Sequence, residues 1–256
     1  MREIPGRRRK ILSGLGGRPD LAGTALLCAT RWGWPVVPGA GPAGEPAAVP
    51  PSGGGMRMAG AVRRSLGRAR RTRRPDTAAA TLRCACEDPG CVVPGAHPFD
   101  PGLLAATTDE RMVRWWWTRR PDAPVVLATG GRAPCALSLP AEAGAPALAA
   151  LDHFGVPTGP VLATPTRWAL LVAPYSLGAL GELLNEQEWV PSSLRFHGEG
   201  GYLALPPSPV GTGRTTWVRP PLPGPAAPWL PDVATIVDAL VRASVEAPDG
   251  DSRLAY

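Results

Sequence analysis

The sequence predicts an α+β fold arranged round one main core. Three observations point there. Apolar residues recur at helical spacing in some segments and in short β-rich runs in others. Those segments mix without the strict strand–helix–strand alternation of a doubly wound sheet. A chain of 256 residues with 44% hydrophobic content is long enough for one good-sized core, but hardly for two full domains.

The elements follow in chain order. Residues 1–20 form a basic tail, and a helix is predicted from Leu21 to about Trp32 with Asp20 as its cap. Trp34 to Val37 reads as a short strand. Residues 38–83 turn to Pro, Gly and Ala and then to an arginine run (Arg63, Arg64, Arg68, Arg70, Arg71, Arg73, Arg74), the composition of a flexible insertion. Order is expected to return at Cys84. Thr107 and Glu110 have capping-box spacing at the start of a helix running to about Trp117. Strands are predicted over Pro124–Ala128, Ala136–Leu139, Pro160–Ala163 and Trp168–Val172, with a helix from Leu148 to Phe154 closed by Gly155. Ser176 caps a helix that should bury Leu177, Leu180, Leu183 and Leu184. Two strands flanking Gly198-Glu199-Gly200-Gly201 read as a hairpin. A last helix from Asp232 to about Val245 presents Val233, Ile236, Val237, Leu240 and Val241 on one face, and residues 246–256 form a tail.

Lys+Arg 27 against Asp+Glu 21 favours an anionic partner such as nucleic acid, although a GC-rich genome would impose much the same Ala, Gly, Pro and Arg content. The arginine run is open to two readings, a solvated charged loop or an arm that tracks phosphates. No apolar run is as long as a membrane span, and the basic start is not followed by the apolar stretch of a secretory signal. With five cysteines that do not form an evenly spread framework, a reducing cytoplasm is the expected setting.

Three of those cysteines crowd together. Cys84, Cys86, Cys91 and His97, spaced C-x-C-x4-C-x5-H, are the ligand set of a closed tetrahedral zinc site. The loop 84–97 holds Pro89, Gly90, Pro94 and Gly95 and too little apolar surface to order itself, so a structural zinc is expected to staple it. Free thiols beside a chance histidine are the alternative. Cys28 and Cys135 lie in apolar segments and read as core residues. His153 reads as an ordinary polar residue of a helix.

Trp115, Trp116 and Trp117 lie among Arg114, Arg119 and Arg120. Successive helical residues point about 100° apart, so three indoles cannot share one face. Val113, Trp116 and Trp117 suit the buried side, and Trp115 remains for a ligand or partner, with base stacking one such role.

The landmarks "ALLCATRWGWPVVPG", "CACEDPGCVVPGAHPFDPGLLAATTDERMVRWWW", "APVVLATGG" and "GEGGYLALPPS", in this order, resemble the bacterial bifunctional DNA primase/polymerase (prim-pol) domain over residues 21–245. The resemblance implies the α+β core of archaeo-eukaryotic primases, with a sheet related to the RNA-recognition fold. It also implies a two-metal mechanism in active members, with magnesium or manganese held by acidic residues and a histidine assisting the triphosphate. The family's Asp-x-Asp strand, which follows the "TGG" turn, here contains Ala136 and Ser138. Its histidine corresponds to Trp168, counted back from Pro174, and its third acid to Arg195. Hard cations need oxygen ligands, and these positions supply none.

A catalytically inactive module that binds single-stranded DNA or a nucleotide is therefore the leading expectation, with replication proteins as partners. Arg167, Arg195 and His197, brought near the former metal site by the family topology, would reach phosphates directly. The plainer alternative leaves Arg195 pointing to solvent and His197 as a strand residue. Two other function classes stay open: an active primase/polymerase using relocated acids, with Glu142, Asp152 and Glu199 nearest, and a protein-interaction scaffold. There is no GxxxxGK[ST] phosphate loop and no GxSxG elbow, so ATPase and serine hydrolase readings have no support.

Overall fold

Two antiparallel sheets and five helices carry the fold in the computed structural model, which describes residues 19–43, 83–86, 88, 90–187, 189–211, 213–222 and 226–246. The larger sheet has the order β12 (Thr216–Arg219), β6 (Val161–Ala163), β7 (Arg167–Val172), β5 (Cys135–Pro140), β8 (Arg195–His197). The smaller has the order β1 (Val36–Pro38), β4 (Val125–Ala128), β9 (Tyr202–Ala204). Two short ribbons join β2 (Pro42–Ala43) to β3 (Arg83–Cys84) and β10 (Pro209–Val210) to β11 (Gly213–Arg214). Pairing in both sheets is antiparallel, and helices alternate with strands irregularly, as an α+β class requires.

The period-2 alternation of the central strands divides the core in two. Cys135, Leu137 and Leu139 of β5, with Leu170 and Val172 of β7, pack with residues of α3 (Ala141–His153), α4 (Leu177–Glu186) and α5 (Val233–Glu246). Ala136 of β5 and Ala169 and Leu171 of β7 face the other way. They pack with α1 (Leu21–Leu26), α2 (Glu110–Arg119) and the smaller sheet. Cys28 and Cys135 are fully buried, one in each cluster, and burial pushes the Cys28 thiol up to about 12.

Several elements form as the sequence predicts. Asp20 Oδ1 accepts from the Gly23 N–H and Ser176 Oγ from the Ala179 N–H, so two helix starts carry their expected caps, and Asp232 Oδ1 accepts from the Ala234 N–H at the start of the last helix. Gly155 ends α3 at φ +67°, a backbone that glycine adopts without strain. Val233, Ile236, Val237 and Leu240 are buried on α5.

Other elements differ from expectation. The strands either side of Gly198–Gly201 do not pair with each other: β8 pairs with β5 and β9 with β4, so the turn is a corner between the two sheets. Thr129 fixes that corner, its N–H donating to Gly201 O (3.0 Å) and its hydroxyl to Gly198 O (2.6 Å). The turn between β4 and β5 is the second crossing, and it packs directly on the first. A Cβ on Gly130, at φ +91°, would lie 2.4 Å from Glu199 Cα. The two glycine-rich turns therefore specify a junction rather than a hairpin.

Helix α3 begins at Ala141, seven residues before the predicted start, because Pro146 is accommodated within it. Gly144 lies against the Trp168 ring, where a Cβ would meet ring carbons at 2.3 Å. The capping box does not form. Asp109 caps α2 by accepting from Met112 N, Thr107 Oγ1 accepts from Asp109 N, and Glu110 pairs instead with Arg114 at 2.6 Å. Leu177, in the first turn of α4, is 70% exposed rather than buried, since that turn projects beyond the core and Leu180 is the residue covered. After Leu26 the helix widens, with Trp32 N–H donating to Leu27 O across five residues. Regular structure continues to Ala43, past the predicted boundary at 38. The arginine run, residues 1–18 and residues 247–256 lie outside the described residues.

Candidate functional site

Two constellations stand out, a thiol–imidazole cluster and a set of basic side chains on the larger sheet. Cys84, Cys86, Cys91 and His97 converge so that their ligand atoms all lie within 4.8 Å of one another. The convergence is built locally. β3 brings Cys84 alongside Pro42, the Ala85 N–H donates to Gly41 O (3.0 Å), and the Ala40 N–H donates to His97 O (2.9 Å). Gly95, at φ +75°, lets the loop pass Pro42 and Pro209, and the Gly211 N–H donates to Pro94 O.

His97 Nε2 lies 3.3 Å from Cys84 Sγ and 3.4 Å from Cys91 Sγ, while Nδ1 is 2.9 Å from Pro98 O. With the Nδ1 proton donated to that carbonyl, Nε2 offers its lone pair to the thiol side, the orientation a metal ligand needs. Burial pushes the Cys84 thiol up, but hydrogen bonds from the backbone of Gly95 and Cys86 and from the Cys86 and His97 side chains outweigh it and hold the group at about 7. Burial pushes Cys91 up to about 11, and its cysteine neighbours add to the rise. One thiolate forms readily and crowds against further thiols, which a divalent cation would relieve. The four residues could hold a metal such as zinc.

The second constellation lies on the face of the larger sheet that bears Ala136 and Ser138. Register places Ser138 opposite Arg195, and Ala136 opposite His197. Arg167, at the start of β7, folds back over the same face: its Nε donates to Ser138 Oγ (3.0 Å) and its Nη2 to Ser138 O (2.5 Å) and Ser193 O (2.8 Å). Ser138 Oγ is in turn 2.9 Å from His197 Nε2. Since the hydroxyl oxygen accepts from Arg167, its proton is free to be donated to the imidazole.

Electrostatics agree with that polarity. Burial, then the charges of Arg167 and Arg195, push the His197 imidazolium down to about 4, with the Tyr202 backbone pulling the other way. His197 is thus neutral near pH 7 and able to accept. Burial and the charge of Arg195 lower the pKa of Arg167, and Glu142 opposes them. Arg195 is exposed and forms no ion pair among the described residues. Ser193, which lends its carbonyl to Arg167, has a buried hydroxyl with no hydrogen-bond partner among the described residues.

Ala136, Ser138, Arg167, Arg195 and His197 therefore come together, and Trp168 does not. It packs with the helix-covered cluster on the opposite face, over Gly144. Arg167 is the β7 residue that reaches Ser138, one position from where counting back from Pro174 leads.

The three nearby acids are scattered. Asp152 pairs with Arg219 of β12 at 2.8 Å, Glu199 occupies the turn against Gly130, and Glu142 lies in the first turn of α3. Among the described residues, the thiol–imidazole cluster is the group of three or more potential ligands that could hold a metal. His153 is exposed at the end of α3 and stacks edge-on with Phe154.

On α2, Val113, Trp116 and Trp117 are buried, and Trp117 Nε1 donates to Ala123 O (3.0 Å). Trp115 is 51% exposed, with the Arg119 guanidinium 4.5 Å from its ring centre. It stands on a different element from the basic set.

Ser193 is not legible in the sequence as part of the site. It lies in an irregular segment before β8, and only the fold brings its carbonyl to Arg167. Nor does sequence reveal Ser138 as the hub, because that role depends on three strands meeting in register.

Comparison with known proteins gives one family. The model of the bifunctional DNA primase/polymerase N-terminal domain matches residues 25–231. No curated protein and no solved structure matches. The matched span contains both constellations and every strand of the two sheets, and the chain belongs to the bifunctional DNA primase/polymerase N-terminal domain family.

Proposed function

We propose that this chain is a prim-pol domain that binds single-stranded nucleic acid or a nucleotide through direct arginine–phosphate contacts and has no polymerase activity of its own. Family membership supports a primase/polymerase-like function in general. The finer reading is supported by the side chains at the positions where the resemblance places the family's metal-holding acids. Ala136 offers a methyl group, Ser138 a hydroxyl already engaged with Arg167 and His197, and Arg195 a cation. Magnesium or manganese needs anionic oxygens in near-ideal geometry, so these residues do not fit the family's catalytic ions.

The same side chains suit an anion. Arg167 is held by carbonyls and a hydroxyl rather than neutralised by a carboxylate in contact, and Arg195 adds a second positive charge on the same face. Two guanidinium groups so placed favour a phosphate between them. The unpartnered Ser193 hydroxyl beside Arg167 is a further donor within the same neighbourhood.

Zinc fits the other cluster on its donor set of three sulfurs and one oriented imidazole nitrogen. Cys84, Cys86, Cys91 and His97 would hold it, and its contribution there is to tie the loop together, with no open position for substrate.

Binding of labelled single-stranded DNA and of a nucleotide, measured by fluorescence anisotropy without added divalent cation, tests the reading. Equal affinity with and without magnesium is expected. Arg195→Ala, which removes one charge-assisted hydrogen-bonding group, should bind about tenfold more weakly. Binding that appears only with magnesium, or that is unchanged in Arg195→Ala at several salt concentrations, would contradict it.

A further inference from the structure

Helix α2 leaves one face uncovered, and its composition is unusual. Val113, Trp116 and Trp117 point into the core, so the opposite side of the helix is centred on Trp115. Arg111 and Arg119 stand four residues either side of it, and residues four apart on a helix are surface neighbours. Thr118 and Met112 border the same face, and all five side chains are exposed. Arg119 lies 4.5 Å from the Trp115 ring centre. Arg114, on the flank, is neutralised by Glu110, but Arg111 and Arg119 form no ion pair among the described residues.

We infer that this face is a second nucleic-acid contact, in which Trp115 stacks on a base of a single strand and Arg111 and Arg119 take the flanking phosphates. An exposed indole with the Arg119 guanidinium over one side of its ring, and Arg111 a turn away, matches the alternation of flat base and charged phosphate along a single strand, the other side of the ring being the one a base would stack on. With a rise of 1.5 Å per residue, Arg111 and Arg119 are roughly 12 Å apart along the helix axis, enough to meet phosphates on both sides of a stacked base. An acidic protein surface would satisfy the arginines but has no comparable use for a half-exposed indole between them. This face is separate from the Arg167–Arg195 set on the larger sheet and shares with it only the nucleic-acid reading of the chain.

The test uses the full chain, an oligothymidylate and a mononucleotide, with Trp115→Ala, Trp115→Phe and the double variant Arg111→Gln/Arg119→Gln, each checked for an unchanged melting temperature. Expected results are about tenfold weaker oligonucleotide binding for Trp115→Ala, substantial retention in Trp115→Phe, and unchanged mononucleotide binding in both. The double variant should flatten the dependence of log K on log salt by about 1.4, roughly 0.7 for each phosphate no longer neutralised. Oligonucleotide affinity that survives Trp115→Ala but falls in Arg195→Ala would overturn the role of α2 and leave the sheet site standing. So would capture of an acidic protein by the wild type, abolished by Trp115→Ala, when oligonucleotide binding is unaffected. A wild-type chain that binds no oligonucleotide overturns both.

Discussion

His197 ties the chemistry of the larger sheet to a measurable property of the fold. Burial and two arginine charges hold its pKa at about 4, below the ordinary histidine value of 6.5. Between those values the unfolded chain binds a proton that the folded chain refuses, so stability rises with pH there. The contribution is fully present above pH 6.5 and is lost as pH falls toward 4, up to about 3 kcal/mol in all. Urea denaturation across that range should show the loss in the wild type and a shallower one in His197→Gln; identical pH profiles would contradict the assignment. The candidates Arg195 and His197 are legible in the sequence because residues two apart on a strand share a face. Arg167 is named with them through the resemblance, but the count that puts the family's histidine on β7 does not lead to the same face. Side-chain alternation is unforgiving of a one-residue error, and counting back from Pro174 leads to Trp168, whose indole lies on the helix side, while Arg167 reaches Ser138.

At the scale of elements, the loop 84–97 should depend on a metal held by its thiol–imidazole cluster, zinc on the proposed reading. It is tied to the core by short backbone hydrogen bonds at Ala40, Gly41 and Gly211 and by few buried apolar residues, with Val92 and Val93 both exposed. Stripping zinc with a chelator is expected to lower the melting temperature and to raise amide exchange in residues 84–97 first, and Cys91→Ser should reproduce both. An unchanged melting temperature and exchange pattern would argue for free thiols. The ligand set is readable from residue type and spacing, whereas the neighbouring corner is not. Gly198–Gly201 carries the composition of a hairpin turn, yet its flanking strands find longer partners in β5 and β4, and only the packing of Gly130 on Glu199 shows why. The first half of helix α3 is hidden from sequence because Gly144 and Pro146 are helix-breakers by propensity. Close packing of Gly144 on Trp168 overrides that preference.

At the scale of the molecule, the fold class follows from how helical and strand periodicities mix, and the structure bears it out with two antiparallel sheets and five helices. Sheet order and the double crossing between sheets lie beyond that signal, since pairing between β5, β7 and β8 joins residues about 30 to 60 positions apart with nothing local to mark it. The family match spans that architecture, so the scaffold of a primase/polymerase is present. Where the resemblance implies carboxylates, its site face carries Ala136, Ser138 and Arg195. On the proposal above, this exchange ends metal-dependent synthesis and leaves phosphate binding. Template-dependent nucleotide incorporation by the zinc-loaded chain, on primed and unprimed single-stranded DNA with magnesium or manganese, tests it most directly. No extension is expected under conditions where the same sample binds the template. Robust extension that disappears on Glu142→Gln would contradict the proposal and place the catalytic carboxylate on α3.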